Sequence, residues 1–162
     1  MTYIAQATET CDFYKPTKCT KWYKDSKHTI LHRTDGPAAV YEDGAEAWYV
    51  NGLRHCIDGP ACIYPNGDKF WYQWSQLHRE GGPAIVFGDD NTEHWYFRDK
   101  LHRLDGPATY GPHEPSRFYV NGVHYHHPDK YALAVAYWLS YQEVTREEIK
   151  QQIGQFRIVE WE

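Results

Sequence analysis

Four histidines recur along the chain at nearly constant steps of 23, 23 and 24 residues: His32, His55, His78 and His102. Imidazole is a common zinc ligand and general base, so such a column first suggests a metal centre. If each copy contributes two β-strands, however, equivalent side chains lie roughly 9–10 Å apart, whereas zinc ligands must approach to about 2 Å. The column therefore predicts a structural ladder, in which His and the neighbouring Arg bond the turn that follows.

The other reactive side chains form no convincing catalytic set. The chain contains neither a Gly-x-Ser-x-Gly motif nor a Walker A motif, and no paired carboxylates stand out. His124, His126 and His127 lie close to Asp129 and could hold a metal, but the start of a helix explains them as well. We therefore predict a protein that is not an enzyme, with no catalytic residue, no metal and no cofactor.

The histidines belong to a repeat of about 23 residues. Its copies read LHRTDGPA at 31–38, RHCIDGPA at 54–61, LHREGGPA at 77–84 and LHRLDGPA at 101–108. An aromatic pair follows each copy: Trp48-Tyr49, Trp71-Tyr72, Trp95-Tyr96 and Phe118-Tyr119. Pro is tolerated at the first residue of a strand, and Asp-Gly or Asn-Gly marks a tight turn. The repeat predicts a mainly β fold, a single-layer meander of antiparallel β-hairpins with one hairpin per repeat.

The repeat divides the chain into three segments of one structural domain. Residues 1–30 are predicted to be an N-terminal half repeat or cap, residues 31–125 four tandem β-hairpin repeats, and residues 126–162 a helical C-terminal cap. The cap is predicted to contain two helices. The first starts at Pro128-Asp129 and is apolar nearly all round, which indicates burial. The second begins at Thr145, with Glu148 completing a capping box.

The repeat resembles the MORN family, in the variant form with a Tyr/Trp-rich strand, an Asn-Gly or Asp-Gly turn and a His-x-x-Gly-Pro-like junction. The resemblance covers about residues 22–125. Two positions depart from it, because Cys56 replaces the junction Arg and Gly81 replaces the junction Asp. The resemblance implies an extended antiparallel sheet and no catalytic residues. It also implies interaction roles, as in membrane-associated scaffolds, bacterial antitoxin-like proteins and accessory proteins of phages and large DNA viruses.

Each aromatic pair is predicted to send Trp to one face of the sheet and Tyr to the other, because adjacent strand residues point to opposite sides. The Trp side is the more apolar and is predicted to form the core. The opposite side, which we name the tyrosine face, is mixed in polarity and suits recognition, although Tyr can also simply cover a thin sheet. The candidate binding residues are Tyr49, Tyr72, Tyr96, Tyr119, His94 and Arg117.

Charge and composition exclude several classes of function. The net charge is -5, which argues against a general nucleic-acid binder because such proteins carry a basic face. No apolar stretch approaches the roughly 20 residues that cross a bilayer, and the N-terminus does not resemble a signal peptide. We therefore expect no membrane insertion, reduced thiols and a cytoplasmic location, in the host cytoplasm if the source is viral.

Three functions remain open. The first is a protein-binding module that inhibits or scaffolds another protein, in a phage or viral accessory role or an antitoxin-like role. The second is a small-ligand binder, in which the Tyr columns and Arg33, Arg79 and Arg103 hold a nucleotide-like anion. The third is a structural scaffold that self-associates into a homo-oligomer.

Overall fold

Short β-strands make up most of the chain, and one α-helix follows them within the described residues. The computed structural model describes the backbone of residues 4–9 and 18–141 and the side chains of residues 18–140. The elements are β1 (Ile4–Glu9), β2 (Lys18–Tyr23), β3 (Ala39–Tyr41), β4 (Glu46–Ala47), β5 (Tyr49–Val50), β6 (Leu53–Arg54), β7 (Cys62–Ile63), β8 (Lys69–Phe70), β9 (Tyr72–Gln73), β10 (Gln76–Leu77), β11 (Ile85–Val86), β12 (Glu93–His94), β13 (Tyr96–Phe97), β14 (Lys100–Leu101), β15 (Thr109–Gly111), β16 (Glu114–Val120), β17 (Val123–Tyr125) and α1 (Pro128–Tyr141).

Eleven of these strands follow one another in an antiparallel meander, in the order β1-β2-β3-β4-β7-β8-β11-β12-β15-β16-β17. The pairs β5–β6, β9–β10 and β13–β14 form three separate two-stranded hairpins. Strand β16 has both roles, since Arg117 pairs with β15 while Phe118–Val120 pair with β17. The prediction of a mainly β fold of short antiparallel hairpins is confirmed, and no helix precedes Pro128 in the described residues.

Each repeat contributes two hairpins rather than the one that was predicted, and in the first three repeats the second hairpin separates from the meander at the Trp of the Trp-Tyr pair. Trp48 lies between β4 and β5 and belongs to neither strand. Its N–H donates to the carbonyl of Ala61 at 2.8 Å, and its carbonyl accepts the N–H of His55 at 3.1 Å. These two bonds take the place of regular ladder pairing, so the chain turns away and folds back as β5–β6.

The second hairpins close with tight turns whose two central residues both have left-handed backbone. Asn51-Gly52 and Asn121-Gly122 do so, with φ of 51° and 52° at the two Asn residues, as their sequences predict. The same conformation occurs at Trp74-Ser75 and Arg98-Asp99, with φ of 52° and 49° at Trp74 and Arg98. Neither of the last two dipeptides is a typical turn sequence. The neighbouring hairpin imposes the turn, since the Ser75 N–H donates to the carbonyl of Arg54 at 2.8 Å.

Two hydrophobic clusters are buried, one on the tyrosine face and one beneath the helix. The first consists of Ala39, Ala47 and Cys62, with Tyr41, Tyr49, Phe70 and Tyr72 packed against it. The second consists of Val120, Tyr131, Val135 and Leu139, with Phe118 and Trp138 among the side chains packed against it. The prediction that the Trp side forms the core is therefore correct at Phe118 and Val120. It is incomplete in the earlier repeats, because Trp48, Trp71 and Trp95 are only partly buried and the tyrosine face also contains buried small residues.

Helix α1 covers the last hairpin with one face only. Its buried residues Tyr131, Val135 and Leu139 are spaced four apart, whereas Leu133 and Tyr137 are 71% and 73% exposed. The prediction of burial on all sides is therefore wrong, since a single helix that lies on one side of the repeats buries one stripe. The described residues contain one helix, not two, and the second helix predicted from Thr145 lies outside them. No helix in the described part is long and apolar enough to span a bilayer.

The cysteines differ in their covalent state. Cys19 is disulfide-bonded, whereas Cys56 and Cys62 are free thiols. The prediction of reduced thiols is therefore wrong at Cys19, because spacing along the sequence did not reveal which thiols meet. Cys62 is buried, and that burial raises the pKa of its thiol.

The one-sided helix predicts different costs for the same substitution at two positions. Leu139→Ala removes a side chain that is 5% exposed and should lower the free energy of unfolding by about 2–5 kcal/mol. Leu133→Ala is the matched control and should change it by less than about 0.5 kcal/mol. Urea denaturation of both variants measures the difference, and similar losses would contradict the packing described.

Candidate functional site

The Arg of a complete junction clamps the Asp-Gly-Pro turn that follows it. Arg103 Nε donates to Asp105 Oδ1 at 2.8 Å, and its Nη1 donates to the carbonyl of Pro107 at 3.2 Å. The guanidinium also lies 3.8 Å from the ring centroid of Trp95. The same stacking occurs at Arg33–Trp22 (4.4 Å) and Arg79–Trp71 (4.1 Å). These three cations are therefore engaged on the Trp side, away from the tyrosine face.

The clamp predicts that one junction Gly tolerates a methyl group and another does not. A Cβ at Gly106 would lie 3.1 Å from Cζ of Arg103, so Gly106→Ala should displace the guanidinium and destabilise the fold by about 1 kcal/mol. Gly59 is the control, because its repeat has Cys56 instead of Arg and a Cβ there meets only that sulfur, at 4.0 Å. Gly59→Ala should be neutral or stabilising by up to about 1 kcal/mol. Equal destabilisation in thermal unfolding would refute the clamp.

The histidine column is structural, but its bonds differ from those predicted. His32 Nδ1 accepts the N–H of Asn51, and His102 Nδ1 accepts the N–H of Asn121, both at 3.0 Å. Each of these bonds reaches the turn of the neighbouring hairpin, whereas the described side-chain bonds to the Asp-Gly-Pro turn at 105–107 come from Arg103 and Tyr131. Ring contacts continue the column at His55–Trp74 (4.0 Å between centroids), His78–Phe97 (4.8 Å) and Phe97–His102 (5.6 Å).

Burial of His102 predicts a loss of stability in acid. Desolvation lowers the pKa of His102 from 6.5 to about 4. Between pH 6.5 and about 4, His102 is therefore protonated in the unfolded chain but neutral in the folded chain. The free energy of unfolding, which is fully present above pH 6.5, decreases as the pH falls through this range. His102→Asn retains an acceptor near the Nδ1 position but cannot titrate. Its free energy of unfolding should decline less over this range than that of the wild type, and equal declines would contradict the assignment.

The four predicted tyrosines lie side by side on the second hairpins and form a stripe across successive repeats. Their cross-strand pairs are Tyr49–Arg54, Tyr72–Leu77, Tyr96–Leu101 and Tyr119–His124. All four are partly buried. Burial raises the pKa of Tyr72 and of Tyr96 above the ordinary value of 10.0. Both phenols therefore remain neutral at physiological pH and can donate a hydrogen bond.

His94 and Arg117 lie on the tyrosine face but not next to Tyr49 and Tyr72. His94 Nε2 lies 2.8 Å from Glu114 Oε1, so that ring is already paired. Arg117 is exposed on β16. Four strand steps in the meander separate β16 from β8, which corresponds to roughly 19 Å. The predicted site is therefore a row along the sheet rather than one pocket.

An open depression of about 460 Å³ lies beside His94. Its lining includes Asp68, Asp90 and Glu114. These carboxylates have structural partners, since Asp68 accepts the N–H of Gly88 and Asp90 accepts the N–H of Thr92. Within residues 18–140, no three His, Cys, Asp or Glu side chains are grouped so that they could hold a metal ion.

Arg54 is the residue of the tyrosine face that the sequence prediction missed. Its Nε donates to Tyr49 Oη at 3.1 Å, and its Cζ lies 5.5 Å from the ring centroid of Tyr72. The backbone of Arg54 is fixed by Ser75, whose hydroxyl oxygen accepts its N–H at 3.1 Å. Burial is the largest single influence on the pKa of Arg54 and lowers it, but the hydrogen bond to Tyr49 and the electrostatic attraction of Tyr49, Cys62 and Tyr72 together outweigh it, so the pKa is raised. Comparing the copies could have found this residue, because Leu31, Leu77 and Leu101 occupy the equivalent position.

No protein-family model matches this chain, nor does any curated protein or solved structure. The resemblance to MORN repeats therefore stays a prediction. Function is inferred from the tyrosine face itself, which combines a stripe of partly buried phenols with the guanidinium of Arg54.

Proposed function

We propose that this chain is a non-enzymatic binding protein that engages another protein through the tyrosine face. The observation that carries the proposal is the stripe of Tyr49, Tyr72 and Tyr96 on one side of the sheet, with Arg54 between the first two. Tyr and Arg dominate the energetics of protein interfaces, because both combine contact area with directed hydrogen bonds. Inhibition or scaffolding of the partner, in an accessory or antitoxin-like role, agrees with the MORN resemblance.

The shape of the site favours a protein over a nucleotide-like ligand. The stripe runs along the second hairpins of successive repeats, and the open depression of about 460 Å³ lies beside His94 rather than over the stripe. Arg33, Arg79 and Arg103 were expected to supply the anion-binding charge, but all three stack on Trp rings on the other side. A cytoplasmic location stays a prediction, against which the disulfide at Cys19 counts, because such bonds are rare in reducing compartments.

Two Tyr→Ala variants test the proposal on opposite sides of the sheet. Tyr72→Ala should weaken binding of a partner isolated from the producing cell by about 2 kcal/mol or more, as the loss of a central hot spot does. Tyr110→Ala is the matched control, since Tyr110 is 55% exposed and belongs to the row of Glu93, on the side opposite to His94. Titration calorimetry with the captured protein measures both affinities. The proposal is wrong if Tyr110→Ala weakens binding as much as Tyr72→Ala does.

A further inference from the structure

One repeat places its junction arginine on the opposite side of the sheet from the others. Three copies read Leu-His-Arg, at 31–33, 77–79 and 101–103, whereas the second copy reads Arg54-His55-Cys56. Arg and the small or apolar residue have exchanged places around the histidine. The side chains at positions 54 and 56 have different surroundings. The exchange therefore removes a cation from above Trp48 and puts one between Tyr49 and Tyr72.

This relocated cation has no carboxylate partner among the described residues. Arg33 and Arg103 are paired with Asp35 and Asp105, at 2.8 Å each, but no described ion pair includes Arg54. A guanidinium has five N–H donors. The described contacts of its side chain are with the phenols of Tyr49 and Tyr72. A partly buried guanidinium that has unused N–H donors and is flanked by two aromatic rings is a favourable binding site for an anion.

The local charge selects a monoanion over a phosphate. Arg54 supplies one positive charge, and the fork of its guanidinium matches the two oxygens of a carboxylate. A phosphate monoester carries nearly two negative charges at neutral pH and calls for a second cation. Lys21 does not provide that second cation beside Ala47, because two strand steps separate these residues, which corresponds to roughly 10 Å. The acidic Asp99 influences both Tyr72 and Tyr96, which further disfavours a group that carries two negative charges at one point, as a phosphate does.

We propose that the guanidinium of Arg54, held between Tyr49 and Tyr72, receives an Asp or Glu side chain of the partner protein. This inference rests on the proposed function, since it names the chemistry by which the tyrosine face recognises its partner. The two phenols bracket the carboxylate and can donate to it, while Arg54 provides the charge. The site thus anchors one acidic residue, and the rest of the Tyr stripe contributes contact area around it.

A blocked tetraglutamate peptide, acetylated and amidated, is the probe for the full-length protein. We expect saturable shifts of the Arg54 Nε–H resonance in NMR titration, with an affinity that falls as salt is added. The uncharged tetraglutamine peptide should cause no such shifts. Inorganic phosphate and adenosine triphosphate should bind more weakly than tetraglutamate. Tighter binding of either phosphate compound, or no saturable binding of tetraglutamate, would overturn the inference.

The other copies of the repeat indicate which substitutions to make at Arg54 and Cys56. Arg54→Leu installs the residue of the other copies and should weaken tetraglutamate binding at least about tenfold, in line with a lost charged hydrogen bond. The double variant Arg54→Leu/Cys56→Arg restores the net charge but returns the cation to the Trp48 side. It should bind the peptide as weakly as Arg54→Leu does. Recovery of binding in the double variant would show that total charge, not the position of Arg54, attracts the peptide.

Partner binding separates this inference from the proposed function. If Tyr72→Ala and Arg54→Leu both weaken partner binding, and circular dichroism shows both folded, the acidic anchor is supported. If Tyr72→Ala weakens partner binding and Arg54→Leu does not, the carboxylate inference is overturned while the tyrosine face remains the interface. If Tyr72→Ala leaves partner binding unchanged, the proposed function itself fails.

Discussion

A recurring pair of backbone hydrogen bonds at the Trp of each Trp-Tyr pair holds the two rows of hairpins together. The Trp N–H donates to the carbonyl of the Ala that follows the next Gly-Pro, and the Trp carbonyl accepts the N–H of the His in its own hairpin. The donor–acceptor distances to Ala are 2.9, 2.8, 2.8 and 2.7 Å at Trp22, Trp48, Trp71 and Trp95. The four Ala residues concerned are all 0% exposed, so a larger side chain could be accommodated only by separating the repeats. This constraint explains why Gly-Pro-Ala recurs at every junction.

The same constraint divides chemical roles between the two sides of the sheet. On the Trp side, Arg33, Arg79 and Arg103 stack on indole rings, and the repeat histidines bond or pack against the neighbouring hairpin. On the tyrosine face, the phenols remain partly exposed, and none of the described ion pairs includes Arg54. Side chains that are already satisfied by the fold contribute little to recognition, whereas a positioned group with free donors contributes much. In the second repeat, Cys56 replaces the Arg that holds the following turn in other copies, and Arg54 adds a cation to the tyrosine face.

The sequence predicted features that depend on local periodicity and missed those that depend on neighbouring repeats. The repeat spacing, the strands and the start of α1 follow from turn residues and apolar pattern, and the structure confirms them. The bend at each Trp was missed, because its bonds reach Ala in another copy. The turns at Trp74-Ser75 and Arg98-Asp99 were missed because adjacent hairpins impose their positive φ. Tyr49 and Tyr72 were predicted as site residues from strand alternation, whereas Arg54 was not, since only the difference between the copies distinguishes it.

Radical footprinting of the tyrosines, with and without the bound partner, tests the tyrosine face most directly. Free protein provides the reference rate of oxidation for every residue, so each ring is its own control. We predict that partner binding protects Tyr49, Tyr72 and Tyr96, while Tyr110 and Tyr137, which are 55% and 73% exposed elsewhere, react as before. Protection confined to Tyr110 or Tyr137, with the stripe unchanged, would contradict the assignment of the tyrosine face as the binding surface.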